Sequence, residues 1–392
     1  MQHDANERSM KSLHPAYRSG TFALLTAVLL ALPVVACARW SAQAANAWYA
    51  RQPWLIGANY IPASAINQLE MWQADTFDPG RIDTELGWAE AIGMNTMRVF
   101  LHDLLWQQDA AGFTQRIDRF LTIADRHHIR ILFVLFDSVW DPSPQLGKQH
   151  DPVPGVHNSG WVQSPGANEL ADPASYPKLE AYVKGVVAAF ARDPRVLGWD
   201  VWNEPTVGAA SSSNWPEREA PHKDQLVQSL LPQVFEWARA AGASQPLTSG
   251  VWTAGGPEWN GWPRTAQIQI EESDILSFHS YDRPAEVVRR IEALSVYGRP
   301  LICTEYMART AGSTFGGTLP VLEKYQVGAI NWGLVAGKTQ TIYPWDSWKT
   351  PYTGAHTLPV WFHDVFYPDG RPYRQAEVEL IRTLTRRTDP KL

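Results

Sequence analysis

Residues 198–205 read GWDVWNEP, an apolar run that ends in an amide, a carboxylate and a proline. Its aromatic and β-branched residues favour a strand, and Pro205 predicts the end of that strand because proline has no amide hydrogen for the sheet ladder. Neighbouring side chains point to opposite faces of a strand, so Asn203 and Glu204 can face the same way only where the strand ends or bulges. Two interpretations follow: a strand-end turn that satisfies backbone groups, or a carboxylate held at the mouth of a barrel.

Seven similar runs lie along the chain and alternate with segments of helical period. The eight predicted strands are 54–60, 95–101, 130–136, 196–203, 246–252, 275–281, 300–306 and 328–334. Repeated strand–helix units predict a parallel sheet, and eight of them predict a (β/α)8 TIM barrel of the α/β class. An open doubly wound sheet is the alternative, but no GxGxxG motif follows the first strand, which weakens that option.

The N-terminal residues have the pattern of an export signal. Lys11 and Arg18 precede an apolar run over residues 21–38, and the small-residue segment AQAANA follows it. Basic residues, a short apolar core and small residues at the cut are typical of such signals, and the core is short for a membrane span. An uncleaved anchor helix is the alternative. Because VVAC ends at Cys37 like a bacterial lipoprotein site, the mature chain is either tethered by a lipid there or released by a later cut.

The remaining chain is predicted to be one domain. We expect residues 1–38 to be the export signal, residues 39–53 a short linker and residues 54–392 a single catalytic barrel domain. The chain has a net charge of -6, and it has no Lys/Arg cluster that would predict a nucleic-acid partner. Only Cys37 and Cys303 are present, so no disulfide framework is expected. We expect a monomer.

Polar and aromatic residues at the predicted strand ends form the candidate site, because barrels carry their sites on the loops that follow the strands. They are Asn59, Tyr60, Arg98, His102, Asp103, Asp137, Asn203, Glu204, Trp252, His279, Tyr281, Asp282, Glu305 and Trp332. The long loop after the third strand, residues 137–175, contains Trp140 and Trp161. Long ordered loops normally build sites, so we expect this loop to form one wall of a cleft.

Two of these residues are carboxylic acids at equivalent depth. Glu204 follows the fourth strand and Glu305 ends the seventh, so the two carboxylates are expected to face each other across the barrel mouth. Such a pair can divide the roles of acid and nucleophile in glycoside hydrolysis when their surroundings separate their pKa values. The 19 tryptophans offer flat platforms for sugar rings, although core filling also explains some of them.

On these residues the chain resembles a clan of retaining glycoside hydrolases, most closely the cellulase-like glycoside hydrolase family 5. The resemblance rests on WNEP, on TEY around Glu305 and on HSYD over residues 279–282. It implies that Glu204 is the acid/base, that Glu305 is the nucleophile and that Asn203 binds the sugar 2-hydroxyl. The resemblance covers about residues 54–340. The combination of motifs makes it specific, because any single motif alone would be weak.

The same resemblance assigns supporting residues. It implies that Tyr281 holds Glu305, that His279 lies near Glu204, that Arg98 is the strand-two arginine and that Trp332 is the strand-eight platform. The chain departs from the family after strand three, where members often carry a histidine and this sequence has Asp137. That departure leaves the substrate open, and His102 and Asp103 are candidates for the same sugar-binding space.

These observations predict a retaining β-glycosidase that acts on an oligosaccharide or polysaccharide. The family favours a β-glucan or β-mannan, with xylan or a host glycoconjugate as further options, and internal or terminal cleavage stays open. A carbohydrate-binding barrel without turnover and a transglycosylase on the same scaffold are the alternatives. No cofactor is expected. No metal is expected either, because His150 and His157 lack the spacing of metal ligands. Apart from a lipid anchor or an uncleaved signal, no membrane contact is expected.

Overall fold

The computed structural model describes residues 38–207, 217–253 and 261–388. Nearly all of the predicted export signal, including Cys37, lies outside these residues. None of the helices in the three described ranges is both long and apolar enough to cross a membrane.

Eight parallel strands form the centre of the described structure, in the order β5-β4-β3-β2-β1-β8-β7-β6. They are β1 Ile56–Asn59, β2 Thr96–Phe100, β3 Arg130–Asp137, β4 Val196–Asn203, β5 Leu247–Thr248, β6 Leu276–His279, β7 Leu301–Glu305 and β8 Gly328–Trp332. Helices between the strands cover the outside of the sheet, as parallel strands require. The arrangement confirms the predicted (β/α)8 barrel.

The helices follow the strands in the predicted rhythm. In the described ranges they are α1 Ala42–Tyr49, α2 Gln68–Trp72, α3 Pro79–Ala91, α4 Asp103–Arg126, α5 Ala167–Ala171, α6 Tyr176–Ala189, α7 Lys223–Ala240, α8 Arg264–Glu272, α9 Pro284–Ser295, α10 Phe315–Lys324 and α11 Gln375–Thr388. The apolar faces of most of them pack on the strands and make one continuous core.

The fifth strand is shorter than predicted. The sequence indicates residues 246–252, whereas β5 contains only Leu247–Thr248, and Val251 adds one isolated bridge to β6. Gly250 lies in the gap, and a Cβ atom there would stand 3.1 Å from His279 Nε2. The absence of a side chain on Gly250 therefore leaves room for the His279 ring at the barrel mouth.

The predicted linker over residues 39–53 contains a helix. Ser41 caps α1, and the helix buries Ala45 completely. Ala45 packs in an apolar cluster with residues from the amino-terminal ends of the strands, namely Leu55, Leu132, Leu197, Ile275, Ile302 and Ile330. Helix α1 therefore closes the end of the barrel opposite the strand-end residues, which explains why this segment is ordered.

Candidate active site

Glu204 and Glu305 lie at the carboxyl ends of β4 and β7. Glu204 follows the last residue of β4 in a left-handed backbone conformation, φ 39°, immediately before Pro205. Such conformations are strained for residues with a side chain and concentrate at functional sites. One carboxylate oxygen of Glu204 lies within 4.8 Å of one of Glu305, so the structure brings the two predicted acids together.

Two hydrogen-bond donors hold Glu305. Arg98 Nη1 donates to Oε1 at 2.8 Å, and the Tyr281 hydroxyl donates to Oε2 at 2.7 Å. Burial raises the pKa of Glu305 above its usual value, while Arg98 and the hydrogen bond from Tyr281 oppose that rise. Each carboxylate oxygen therefore has a fixed donor, and the ionised group is held in one orientation.

Glu204 has a different environment. Its Oε1 lies 2.8 Å from His279 Nδ1, and its side chain is 17% exposed. Burial raises the pKa of Glu204 to about 7, against an opposing effect of Arg98. Burial also lowers the pKa of His279 to about 4, so the imidazole is neutral near pH 7. Burial rather than a neighbouring charge is therefore the main cause of the raised Glu204 pKa.

Arg98 is fully buried beneath the two acids and does not line the cavity. Besides Glu305 it binds Asp200 Oδ2 through Nε and Nη2, at 3.0 and 2.7 Å. Nη1 also donates to Asn59 Oδ1 at 2.8 Å, and Nη2 to Asn203 Oδ1 at 2.7 Å. A buried guanidinium with this set of partners orients Glu305 and Asn203 rather than contacting a ligand itself.

Asp137 connects Asn203 to the long third loop. Its Oδ1 accepts a hydrogen bond from Asn203 Nδ2 at 2.9 Å, and its Oδ2 accepts one from Trp161 Nε1 at 2.6 Å. Burial raises the pKa of Asp137 to about 6. Because Asn203 donates to Asp137 and accepts from Arg98, its amide has a single orientation, and the second Nδ2 hydrogen remains for a ligand.

His102 and Asp103 lie away from the cavity. Both are fully buried at the start of α4, where His102 Nδ1 accepts from the Leu104 amide at 3.2 Å. Asp103 Oδ1 accepts a hydrogen bond from Ser164 Oγ at 2.5 Å. The structure does not bring these two predicted sugar-binding residues to the acids, because the chain turns into a helix directly after β2 and points them into the protein.

A cavity of about 450 Å³ contains the carboxylates at the barrel mouth. Predicted residues that line it are Asp137, Trp140, Trp161, Asn203, Glu204, Tyr281, Glu305 and Trp332. The third loop therefore does form one of its walls. Trp332 packs edge-on against Phe100 and Trp161, with ring centroids 5.7 and 5.9 Å apart.

Other lining residues were not predicted from the sequence as ligand contacts. They are Val139, Asn158, Val207, Glu219, Trp345 and His363, whereas Trp252, a candidate at a predicted strand end, and His157 of the long loop also line the cavity. Trp345 and His363 come from the long segment after β8, whose aromatic-rich stretch PWDSW, residues 344–348, was a usable signal. No spacing signal marks His157 or His363, because their positions depend on how two distant loops meet.

One group in the described residues has the spacing for a metal ion. Glu204, His279 and Glu305 each offer a ligand atom, and these atoms lie within 4.8 Å of one another. Arg98 already places a positive charge 2.8 Å from Glu305 Oε1, which disfavours a cation at the same point. The geometry therefore suits one neutral and one ionised carboxyl group side by side better than it suits a bound metal ion.

No family model and no curated protein sequence matches the chain. Solved structures do match its fold. A variant of GH5_18 from Streptomyces cattleya, in complex with Manβ1-4GlcNAc, has a TM-score of 0.57 at 12% identity over 86% of this chain and 81% of that chain. The endo-1,4-β-mannanase of Rhizomucor miehei has a TM-score of 0.55 at 12% identity over 85% and 98%. The endo-β-1,4-mannanase of Thermotoga petrophila has a TM-score of 0.54 at 13% identity over 86% and 77%.

At these identities the likeness establishes a common fold. The chain is a (β/α)8 barrel with two carboxylic acids at the ends of its fourth and seventh strands.

Proposed function

We propose that this protein is a retaining glycoside hydrolase that cleaves β-glycosidic bonds by double displacement. The observation that carries the proposal is the approach of Glu204 and Glu305 oxygens to within 4.8 Å. Retaining glycosidases hold their two carboxyl groups about 5–5.5 Å apart, whereas inverting enzymes need about 6.5–9.5 Å to admit a water molecule. The spacing therefore supports covalent catalysis by one of the acids.

In the first step Glu305 is the nucleophile. Its carboxylate attacks the anomeric carbon and forms a glycosyl ester, while the bond from that carbon to the leaving oxygen breaks. Glu204 transfers its proton to the leaving oxygen, so the released group departs as an alcohol. The raised pKa of Glu204 keeps a large fraction of this acid protonated near neutral pH.

In the second step Glu204 is the base. It accepts a proton from water, and the water oxygen attacks the anomeric carbon from the face that the leaving group vacated. The ester bond to Glu305 breaks, and the carboxylate returns to its hydrogen bonds with Arg98 and Tyr281. Two inversions at the same carbon give net retention.

We infer that the substrate is of the β-mannan type. Structural neighbours with the same fold include endo-1,4-β-mannanases and a protein bound to Manβ1-4GlcNAc, which supports this choice over the β-glucan that the family resemblance also allows. Trp140, Trp332 and Trp345 line the cavity, and their rings suit the apolar faces of pyranose sugars.

The test is the stereochemistry of the first product. With an aryl β-mannoside, proton NMR during early turnover should show the β-anomer of the free sugar before it equilibrates. An α-anomer would establish inversion and overturn the mechanism, and failure to hydrolyse any aryl β-glycoside would overturn the activity.

Glu305→Gln should abolish turnover, whereas the matched change Glu271→Gln on exposed α8 should not. Dialysis against EDTA should leave the rate unchanged.

A further inference from the structure

Two loops meet on one side of the cavity. Loop 3 is defined here as residues 138–166 and loop 8 as residues 333–374. Their backbones bond directly, since the Asn158 amide donates to Thr339 O at 2.7 Å and the Tyr352 amide donates to Gly155 O at 3.0 Å. We call this contact the loop junction.

Side chains strengthen the loop junction. Gln340 accepts from the Gly155 amide at 3.1 Å and donates to Val153 O at 2.8 Å. Trp140 of loop 3 stacks on Trp348 of loop 8, with ring centroids 5.1 Å apart and an angle of 24° between the planes. The junction is therefore tied by both polar and apolar contacts.

The segment after β1 supports the loop junction from beneath. Asn67 Nδ2 donates to Gly160 O of loop 3 at 2.8 Å, and the Lys338 amide of loop 8 donates to Ala63 O at 3.0 Å. Loops 3 and 8 are thus joined to each other and to the segment between them in space. We call these joined segments the wall; they follow β8, β1 and β3, which lie side by side with β2 in the barrel.

This wall lies on the side of the cavity that carries Trp332. The acids on β4 and β7 divide the barrel mouth into an arc over β8 to β3 and an arc over β5 and β6. Trp332 ends β8, which neighbours the strand that carries Glu305. A sugar that rests on Trp332 and is attacked by Glu305 therefore lies in the arc over β8 to β3. Its leaving group then extends toward Trp252 in the second arc.

Two histidines from loops 3 and 8 line the cavity. His157 Nδ1 donates to Tyr343 O at 2.8 Å and His363 Nδ1 to Met307 O at 2.5 Å, because a carbonyl oxygen can only accept. Burial lowers the pKa of His157 to about 4 and that of His363 in the same direction. Both rings are therefore neutral, and each Nε2 carries a lone pair.

The two lone pairs are available to a ligand. The rings are 5.5 Å apart and both line the cavity, and the hydrogen bonds that each imidazole makes among the described residues run through Nδ1. His363 also lies 5.6 Å from the ring of Tyr281, which holds Glu305. Sugar hydroxyl groups are the natural donors for such acceptors, and a chain-terminal sugar carries a free hydroxyl where an internal sugar carries a linkage.

We propose that the loop junction ends the cavity behind the sugar on Trp332, so that the protein removes single sugars from non-reducing chain ends, with His157 and His363 accepting hydrogen bonds from the terminal sugar. The inference rests on the proposed glycosidase function. It names the substrate as a chain end rather than the interior of a polysaccharide.

Defined oligosaccharides test the position of cleavage. The sugar whose aryl β-glycoside is hydrolysed fastest is supplied as a β-1,4-linked pentasaccharide in three forms: unmodified, reduced with borohydride at the reducing end, and methylated on the 4-hydroxyl of the non-reducing end. The first two should yield one monosaccharide per cleavage, and the third should react at least about 100-fold more slowly. Early di- and trisaccharide products, or equal cleavage of the methylated form, would overturn the inference. Neither result would affect aryl glycoside hydrolysis, which tests the proposed function separately.

Variants test the role of the loop junction. A Cβ atom on Gly155, φ 75°, would stand 2.5 Å from Tyr352 O, so Gly155→Ala should separate the loops. Gly147→Ala in the same loop is the matched control, because Gly147 has φ 95° and open space around its Cβ position. Gly155→Ala and the milder Gln340→Ala should each lower monosaccharide release relative to cleavage of the methylated substrate. Indistinguishable product ratios in all these variants and the control would contradict the proposal.

A second pair of variants tests the histidine acceptors. His157→Phe keeps a ring but removes the acceptor, and kcat/KM on the unmodified pentasaccharide should fall about 10-fold, the effect of one neutral hydrogen bond. His150→Phe is the control, because His150 is exposed in the same loop and does not line the cavity. Equal kcat/KM for the two variants, with both folded by circular dichroism, would remove His157 from the binding site.

Discussion

At the scale of single residues, two glutamic acids acquire different properties from their neighbours. Glu305 receives hydrogen bonds from Arg98 and Tyr281, which favour its charged form. Glu204 faces a neutral His279, and burial raises its pKa to about 7. Burial raises the pKa of both acids and the donors to Glu305 oppose that rise, so the separation of roles within the proposed mechanism follows from the different surroundings of each acid.

The pKa of Glu204 predicts an alkaline limit to activity. Because burial raises this pKa to about 7, the protonated acid persists to higher pH than an ordinary glutamic acid, and kcat/KM should fall as the pH rises through about 7. The measurement is kcat/KM between pH 5 and 9 on an unactivated oligosaccharide. In Glu204→Gln, assayed on an aryl substrate, this alkaline limb, the fall in kcat/KM near pH 7, should disappear. A limb at the same pH in that variant would assign it to another group.

Azide distinguishes the two acids. Glu204→Ala should lose about 10²- to 10⁴-fold in hydrolysis of unactivated substrates but still form the glycosyl-enzyme from an activated aryl β-glycoside. Azide should then attack that intermediate and give a β-glycosyl azide. In Glu305→Ala, azide should instead replace the missing nucleophile and give an α-glycosyl azide. Reversed products, identified by NMR, would exchange the assignments of the two acids.

At the scale of secondary-structure elements, the ends of the strands matter more than their lengths. β4 stops where Glu204 adopts φ 39°, and β5 is interrupted at Gly250, beside the ring of His279. Loop 8 places Trp345 and His363 in the cavity wall. Arg309 fixes part of that loop, with Nη1 donating to His363 O at 2.5 Å and Nη2 to Asp364 O at 2.8 Å.

Helix α1 should contribute to stability without contributing to the site. Ala45→Asp would place a charge in the apolar cluster at the closed end of the barrel, so the melting temperature should fall by several degrees. Below the unfolding transition, kcat/KM on an aryl glycoside should stay within about twofold, because α1 lies at the opposite end from the acids. Ala47→Asp on the exposed face of α1 is the control. Equal melting temperatures for the two variants would show that the helix is dispensable.

At the scale of the whole molecule, the substrate cavity depends on distant parts of the chain. The His157 amide donates to Ser347 Oγ at 2.9 Å across 190 positions of sequence. The proposed limitation to chain ends is therefore a property of the assembled barrel rather than of either loop.

Export is the second prediction for the whole molecule. We expect residues 1–38 to direct the chain out of the cytoplasm, and all but the last of them lie outside the described structure. Mass spectrometry of the protein from a bacterial host should find a mature chain that begins either at a lipidated Cys37 or at one of the small residues after it. If Cys37 carries the lipid, Cys37→Ala should remove it and release the chain from the membrane fraction. An intact Met1 in cytoplasmic protein would contradict the expectation.

The sequence by itself predicted the barrel and the pair of acids. Strand and helix periodicity is local, so the eight strands could be placed within a few residues, although β5 ends earlier than predicted, before Gly250 beside His279. The ends of parallel strands meet at one edge, so placing Glu204 and Glu305 on the fourth and seventh strands also predicted that they would lie together. A helix in place of the expected linker was missed, because the residues that bury Ala45 come from many strands.

Only the tertiary structure determined which polar residues face the cavity and what surrounds them. His102 and Asp103 had the same strand-end position as Asp137, but the start of α4 turns them inward. His157 and His363 had no local pattern, yet the loop junction brings their rings within 5.5 Å of each other. The physical reason is that burial, which raises the pKa of Glu204 and lowers that of His157, is a sum over contacts from the entire fold.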